Sequence, residues 1–130
     1  MNAEQSMVFS FYWSMRLPVR GYPEVPTPRE ALLRVRLMQE ELAELTKALS
    51  LEDLVGIADG LADLLYVVYG TAVQLGIDIG PVFAEVHRSN MTKAGRIDAG
   101  GKVIKNPDYS PADVRGVLAR QFSVAKEEKP

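Results

Sequence analysis

The sequence contains no cysteine, one tryptophan and one histidine. Without cysteine, the chain forms no disulfide and no thiolate metal site, a composition that fits a reducing cytoplasm. The formal charge is −2, and this balance argues against general binding to nucleic acid or to a membrane surface. No Walker-type loop is present, and no serine–histidine–aspartate or cysteine–histidine arrangement. We interpret the single histidine, His87, as a structural or surface residue.

Long hydrophobic runs are also missing. The longest apolar stretch, Leu61 to Leu75, is interrupted by Asp63, Gly70, Thr71 and Gln74. It is therefore too short and too polar to cross a bilayer. The N-terminal residues lack the charged start and apolar core of a signal peptide. We expect a soluble, cytoplasmic protein.

The length and composition predict one domain. With 130 residues, of which 47% are hydrophobic, the chain can bury a core of its own. We expect a single domain over residues 1–130, with residues 1–26 as an N-terminal arm and residues 122–130 as a flexible tail.

Capping and turn signals divide the chain into helices. The predicted fold is all-α, an antiparallel bundle of about four to five helices that is completed by oligomerisation. The expected elements are a short helix over Ala3–Met15, a linker over Leu17–Pro26, a helix from the Thr27 cap to about Leu49, a helix from the Ser50 cap to Gly76, a helix from Pro81 to about Lys93, a small hairpin at Ala99–Gly101, and a helix from the Ser110 cap to about Gln121.

Two leucine-rich stripes recur at steps of three and four residues, which is typical of helix faces that form a core. They comprise Ala31, Val35, Met38, Leu42, Leu45 and Leu49 in one helix, and Leu54, Ala58, Leu61, Leu65, Val68 and Ala72 in the next. The other side of the later helix carries glycines at positions 56, 60 and 70, which indicate close approach by another backbone or by a ligand.

Five acids lie among these leucines, with Arg36 as the only nearby base: Glu40, Glu41, Glu44, Asp59 and Asp63. Spacings of three and four residues place such side chains on one helix face. Buried carboxylates need a cation, and an all-oxygen site suits Mg²⁺, with Mn²⁺ as the alternative. Metal ions of this kind commonly act on phosphoesters and phosphoanhydrides. A Glu-Glu-x-x-Glu string also occurs on solvated helices, so a purely structural helical dimer stays an alternative.

Positive and amide side chains follow the acids along the chain. Asn90 and Lys93 lie on the third long helix, and Lys102 and Lys105 lie in the loop after it. Because lysine meets phosphate as a point charge, we predict that these four residues bind substrate.

Five segments together resemble the all-α nucleoside triphosphate pyrophosphohydrolase superfamily. That superfamily includes MazG-like proteins, dimeric dUTPases and phosphoribosyl-ATP pyrophosphohydrolases. The matching segments are Glu40–Glu44, Leu61–Gly70, Gly76–Asp78, Val86–Lys93 and Tyr109–Val114.

The resemblance implies Mg²⁺-dependent cleavage between the α and β phosphates of a nucleoside triphosphate, and a homodimer or tetramer. Glu40, Glu41 and Glu44 match the first acidic motif, and Asp63 matches the last residue of the second. The second motif usually begins with glutamate, but Gly60 stands at that position.

The predicted site residues follow from both arguments. The expected metal ligands are Glu41, Glu44, Asp63 and Asp59, where Asp59 replaces the missing glutamate. The water-activating base is Glu40 or Glu41, a choice that the residues leave open.

The predicted activity is hydrolysis of a (d)NTP, with dUTP among the candidate substrates. Hydrolysis of phosphoribosyl-ATP is one alternative. A catalytically weak relative that binds nucleotides for regulation is another, because of Gly60.

Overall fold

The computed structural model describes residues 1–93, 97–104 and 107–128. Its named elements are all helices, which confirms the all-α prediction. They are α1 (Ala3–Ser14), α2 (Pro28–Ser50), α3 (Leu54–Gln74), α4 (Ile79–Met91) and α5 (Val114–Glu127).

The helices fall into two compact units. Met1–Ile77 contains α1, α2 and α3, and Asp78–Pro130 contains α4 and α5. The single-domain interpretation stays a prediction.

The start of α2 agrees with the predicted cap. Glu30 donates its backbone N–H to the Thr27 hydroxyl at 3.3 Å, and the Glu30 carboxylate accepts from the Thr27 N–H at 2.8 Å. Pro28 occupies the first turn, where its missing N–H costs no hydrogen bond.

Three predicted helix starts were wrong by a few residues, because a later or earlier aspartate supplies the cap. Asp53 caps α3 in place of Ser50, which remains the last residue of α2. Asp78 caps α4, so this helix begins two residues before Pro81.

The final helix also differs from its prediction. Asp113 caps α5 and accepts the Gly116 N–H at 2.9 Å, so the helix begins after Ser110. It continues past Gln121 to Glu127.

Helices α2 and α3 form an antiparallel pair that glycine brings close together. A Cβ at Gly60 would lie 3.1 Å from the Cα of Leu45, and one at Gly56 would lie 3.2 Å from the Cβ of Ala48. The predicted close approach at these glycines is therefore an approach by α2.

The predicted core stripes were wrong for most of their residues, although Leu45 and Ala72 are buried. Leu42, Leu61 and Leu65 are each about half exposed, at 52%, 49% and 55%. The buried residues of α2 are Leu45 from the predicted stripe, together with Arg34 and Ala48. Small residues of α3 face these buried residues of α2, so the two helices pack through the side of α3 that carries glycine.

The remaining large apolar residues of the two stripes lie on one side of the helix pair as an unpartnered face. We call this surface the leucine face: Val35, Leu42 and Leu49 on α2, with Leu54, Leu61, Leu65 and Val68 on α3.

Helix α1 covers the far end of α3. Val8, Tyr12 and Val73 form a buried apolar cluster. Nearby, Gln5 donates to the carbonyl of Ile77 at 2.6 Å. These contacts tie α1 to the end of α3 that lies away from the α2–α3 turn.

The described part of the glycine-rich loop contains a tight antiparallel turn. Ile97 pairs with Val103 across an isolated bridge, and Gly101 has a φ of +81° that glycine adopts without strain. This agrees with the hairpin predicted at Ala99–Gly101.

Among the described residues, α3 has the length and composition of a helix that could cross a membrane. It nevertheless carries Asp59 and Asp63, and it pairs with α2. Only 11% of its most apolar window is buried in the described structure.

Candidate active site

Three of the predicted acids converge across the α2–α3 pair. Glu41, Glu44 and Asp63 each direct one carboxylate oxygen to a region where all three oxygens lie within 4.8 Å of one another. Because one helix supplies the glutamates and its neighbour the aspartate, the helix packing itself assembles the cluster.

Glu41 is the innermost member of this cluster. Its Oε2 is buried and has no hydrogen-bond partner among the described residues. Burial raises the pKa of Glu41, and the negative charges of Glu44 and Asp63 raise it further. A buried, unpaired carboxylate oxygen is costly unless a cation or proton neutralises it. The donor set therefore fits a hard divalent cation.

Glu40 and Asp59 lie beside the cluster rather than in its centre. Both are exposed. Their negative charges contribute to the raised pKa of Glu41, so both lie within electrostatic range of it. Asp59 and Glu44 also line one shallow depression at the turn end of the pair.

Gly60 allows the close helix contact beside the cluster. A Cβ there would lie 3.1 Å from the Cα of Leu45, so a larger residue at position 60 requires the Leu45 backbone to move by a few tenths of an ångström. The neighbouring acid is Asp59, one residue earlier on the same exposed flank as Glu44.

The predicted phosphate-binding residues lie in the Asp78–Pro130 unit. The Lys93 Nζ donates to the Asn90 Oδ1 at 2.6 Å and lies 5.9 Å from the centre of the Tyr109 ring. Lys102 is exposed. Lys105 lies outside the described residues. Their roles stay predictions.

Sequence reasoning missed a pocket in the first unit. It has a volume of about 650 Å³ and is walled by parts of α1, α2 and α3. Arg34 lies in this wall and is only 7% exposed. The sequence signal that could have revealed this inward-facing side of α2 is the spacing of Arg34, Glu41, Leu45 and Ala48. These residues follow one another at intervals of seven, four and three. That periodicity marks one helix face despite its charges.

Together, the all-helical fold and the glutamates facing an aspartate across two helices define the class of all-α nucleotide pyrophosphohydrolases. This is the superfamily that the sequence resembles.

The family model for phosphoribosyl-ATP pyrophosphohydrolase matches residues 8–90, well over half of the chain. The chain therefore belongs to the phosphoribosyl-ATP pyrophosphohydrolase family. A search of curated proteins found no match.

The family assignment confirms the predicted enzyme class. The chain is a nucleotide pyrophosphohydrolase, a hydrolase that acts on phosphoanhydride bonds, and its family is one of soluble enzymes.

Proposed function

We propose that this enzyme uses a divalent cation to cleave between the α and β phosphates of phosphoribosyl-ATP, releasing pyrophosphate. The observation that carries the proposal is the cluster of Glu41, Glu44 and Asp63, with its buried, unbonded Glu41 oxygen. The family match supports phosphoribosyl-ATP as the first candidate substrate.

In this proposal, Glu41, Glu44 and Asp63 hold Mg²⁺, or Mn²⁺ in its place, and Asp59 is a further ligand. The bound cation would offset the charge that develops on the phosphates during cleavage. The three carboxylates already lie close together in the folded chain, so the site is organised for a cation before substrate binds.

Glu40 is our candidate for the base that activates water. The innermost position of Glu41 favours a role as metal ligand, whereas Glu40 is exposed beside the cluster. A base must reach a water molecule on the substrate side, which a solvent-facing carboxylate can do.

We assign substrate phosphate binding to Asn90 and Lys93. Their side chains are joined by a hydrogen bond, which holds an ammonium group beside an amide. Lys102 and Lys105 are further candidates for the same role.

We also propose that the active protein is a homodimer formed through the leucine face, with a tetramer as the larger alternative. Seven large apolar side chains exposed on one side of a helix pair are expensive to leave in water. A second copy offers the same face, as symmetric dimers require.

Release of pyrophosphate from a panel of phosphoribosyl-ATP, dUTP and other (d)NTPs tests the function. We expect Mg²⁺-dependent turnover of phosphoribosyl-ATP, and a loss of at least about a hundredfold in Glu44→Gln and Asp63→Asn. Preference for dUTP would support our sequence prediction instead. Tight nucleotide binding without turnover would support the regulatory alternative and contradict the enzymatic proposal.

A further inference from the structure

The pocket walled by α1, α2 and α3 adjoins the acidic cluster along both helices of the α2–α3 pair. Leu37 lines the pocket and precedes Glu41 by one helical turn, and Tyr66 lines it and follows Asp63 by three residues. One turn corresponds to about 5 Å along the axis. A ligand held at the acids can therefore extend into this pocket. The leucine face lies on the other side of the helix pair.

The pocket wall contains a buried cation whose described partners are all neutral. Arg34 donates to the Tyr12 hydroxyl at 2.8 Å, to the Thr71 hydroxyl at 3.0 Å and to the carbonyl of Val67 at 2.9 Å. Among the described residues, none of its partners is a carboxylate. Three of the five guanidinium N–H groups are used in these bonds. A charge buried in this way favours an anionic ligand.

The other charged residues of the pocket reinforce this positive character. Arg29 and Arg36 are exposed at its wall, and neither side chain has an ion pair within the described part of the chain. Among the described residues of the wall, Glu30 is the only acid, and Arg20 already pairs with it at 2.9 Å. Three arginines therefore face the pocket without an opposing free carboxylate.

Aromatic rings form part of the remaining wall. Phe11 and Tyr66 meet edge to face, with ring centres 5.8 Å apart, and Tyr12 lies beside Arg34. An apolar wall around a few convergent polar groups is typical of small-molecule sites of this volume. Rings and arginines together suit a heterocycle or sugar that ends in a phosphate.

We propose that this pocket binds a second anionic group of the substrate, a sugar phosphate at the end opposite the triphosphate. The proposal rests on the function proposed above and selects among its substrates. Arg36 and Arg34 precede Glu41 by five and seven residues, which is about 7–10 Å along α2. A nucleotide with phosphates at both ends reaches both sites, whereas an ordinary (d)NTP leaves the arginines without an anion.

Direct binding tests the pocket without metal or turnover. Ribose 5-phosphate is titrated into the full chain by calorimetry, with ribose as the uncharged comparison. We expect saturable binding of ribose 5-phosphate, no detectable binding of ribose, and about tenfold weaker binding in Arg36→Gln. Arg36 is exposed, so this variant should fold; Arg34→Lys serves as a second variant if its melting curve shows an intact fold. Arg115→Gln on α5 is the matched control and should bind like the wild type.

Kinetics then link the pocket to the reaction. Arg36→Gln should raise the KM for phosphoribosyl-ATP about tenfold, with an unchanged kcat and an unchanged KM for ATP. Equal effects on both substrates would overturn the inference.

The two proposals fail in different ways. If wild-type protein does not bind ribose 5-phosphate, the pocket inference is overturned even when phosphoribosyl-ATP is hydrolysed. A side chain from a second copy filling the pocket would give this result. If no nucleotide is hydrolysed but Arg36→Gln weakens ribose 5-phosphate binding, the enzymatic function fails and the anion site stands.

Discussion

Glu41 has an environment that disfavours its own charge. Its Oε2 is buried without a partner among the described residues, and four other acids raise the pKa of its carboxyl group together with burial. An acid with a raised pKa in the folded state destabilises that state as the pH rises through this pKa. The metal-free fold therefore carries a cost at neutral pH that a cation removes.

This cost predicts opposite effects of Glu41→Gln with and without metal. At pH 7 without metal, the variant should melt at a higher temperature than the wild type, because one repelling charge is gone. Mg²⁺ at 100 times its Kd should increase the free energy of unfolding of the wild type by about 2.7 kcal/mol, and so raise its melting temperature. It should leave the variant nearly unchanged. Thermal melts followed by circular dichroism give all four values.

Glu127→Gln is the control for this experiment. It removes the same charge from an exposed position of α5, so it should alter neither the metal-free stability nor the response to Mg²⁺ by more than about 0.5 kcal/mol. An equal Mg²⁺ response in Glu41→Gln and the wild type would contradict the proposed ligand role.

At the scale of helices, one carboxylate links α4 to the start of α5. Glu85 accepts two hydrogen bonds from Arg88, at 2.8 and 2.9 Å, and one from the backbone N–H of Asp113 at 2.8 Å. Arg88 and then Asp113 lower the pKa of Glu85 from 4.5 to about 2. Because Asp113 is the cap of α5, this carboxylate stabilises both the helix start and the helix pair.

The lowered pKa predicts an acid-dependent loss of stability. A depressed carboxylate pKa stabilises the fold above the unfolded-state value, near 4.5, and this contribution is lost as the pH falls towards about 2. Glu85→Gln should therefore be less stable than the wild type at pH 7 and should lose less on acidification from pH 5 to pH 2. Urea unfolding at each pH measures both effects.

Glu127→Gln again provides the comparison, because Glu127 lies in the same unit but outside the hydrogen bonds that join Glu85 to Arg88 and Asp113. A parallel pH profile in Glu85→Gln and the wild type would show that Glu85 does not contribute in this window. Glu30 has a pKa of about 2 as well, held low by the Thr27 backbone and by Arg20, so some acid dependence should remain in the variant.

At the scale of the whole molecule, the leucine face is the main unpartnered surface of the first unit. Leu61 and Leu65 are about half exposed on a helix with the composition of a membrane span. A symmetric partner would cover them, and a stable interface of this kind removes roughly 800 Å² from each copy.

Light scattering coupled to size exclusion tests this arrangement. The wild type should have at least twice the mass of the 14.4 kDa chain. Leu61→Glu and Leu65→Glu should shift the population to monomer and lower the melting temperature, because each places a charge in the apolar interface. Met7→Glu, at an exposed position of α1, should preserve the wild-type mass. A monomeric wild type at all concentrations would contradict the dimer.

Much of the fold was predictable from local chemistry. Helix propensity and capping depend on neighbouring residues, so the sequence predicts about four to five helices and the capping box at Thr27. The wrong starts at Ser50 and Ser110 arose because several polar residues in a row compete to cap, and the sequence alone does not rank them. The acidic motif was equally local: its spacing predicts that Glu41 and Glu44 share a face.

The sequence by itself thus determined the approximate bounds of the helices, the acidic motifs and the resemblance to a superfamily of pyrophosphohydrolases. Only the tertiary structure decided which face of α2 turns inward. Periodicity favoured the leucine-rich stripe, but Leu45 is the one residue of the α2 stripe that is buried, together with Arg34 and Ala48. Gly60 on α3 has no side chain between the helices, and a Cβ there would lie only 3.1 Å from the Cα of Leu45. The same packing buries the Glu41 oxygen and the Arg34 guanidinium. Two helices therefore present an acidic cluster and a cationic pocket side by side, which no single segment of sequence specifies.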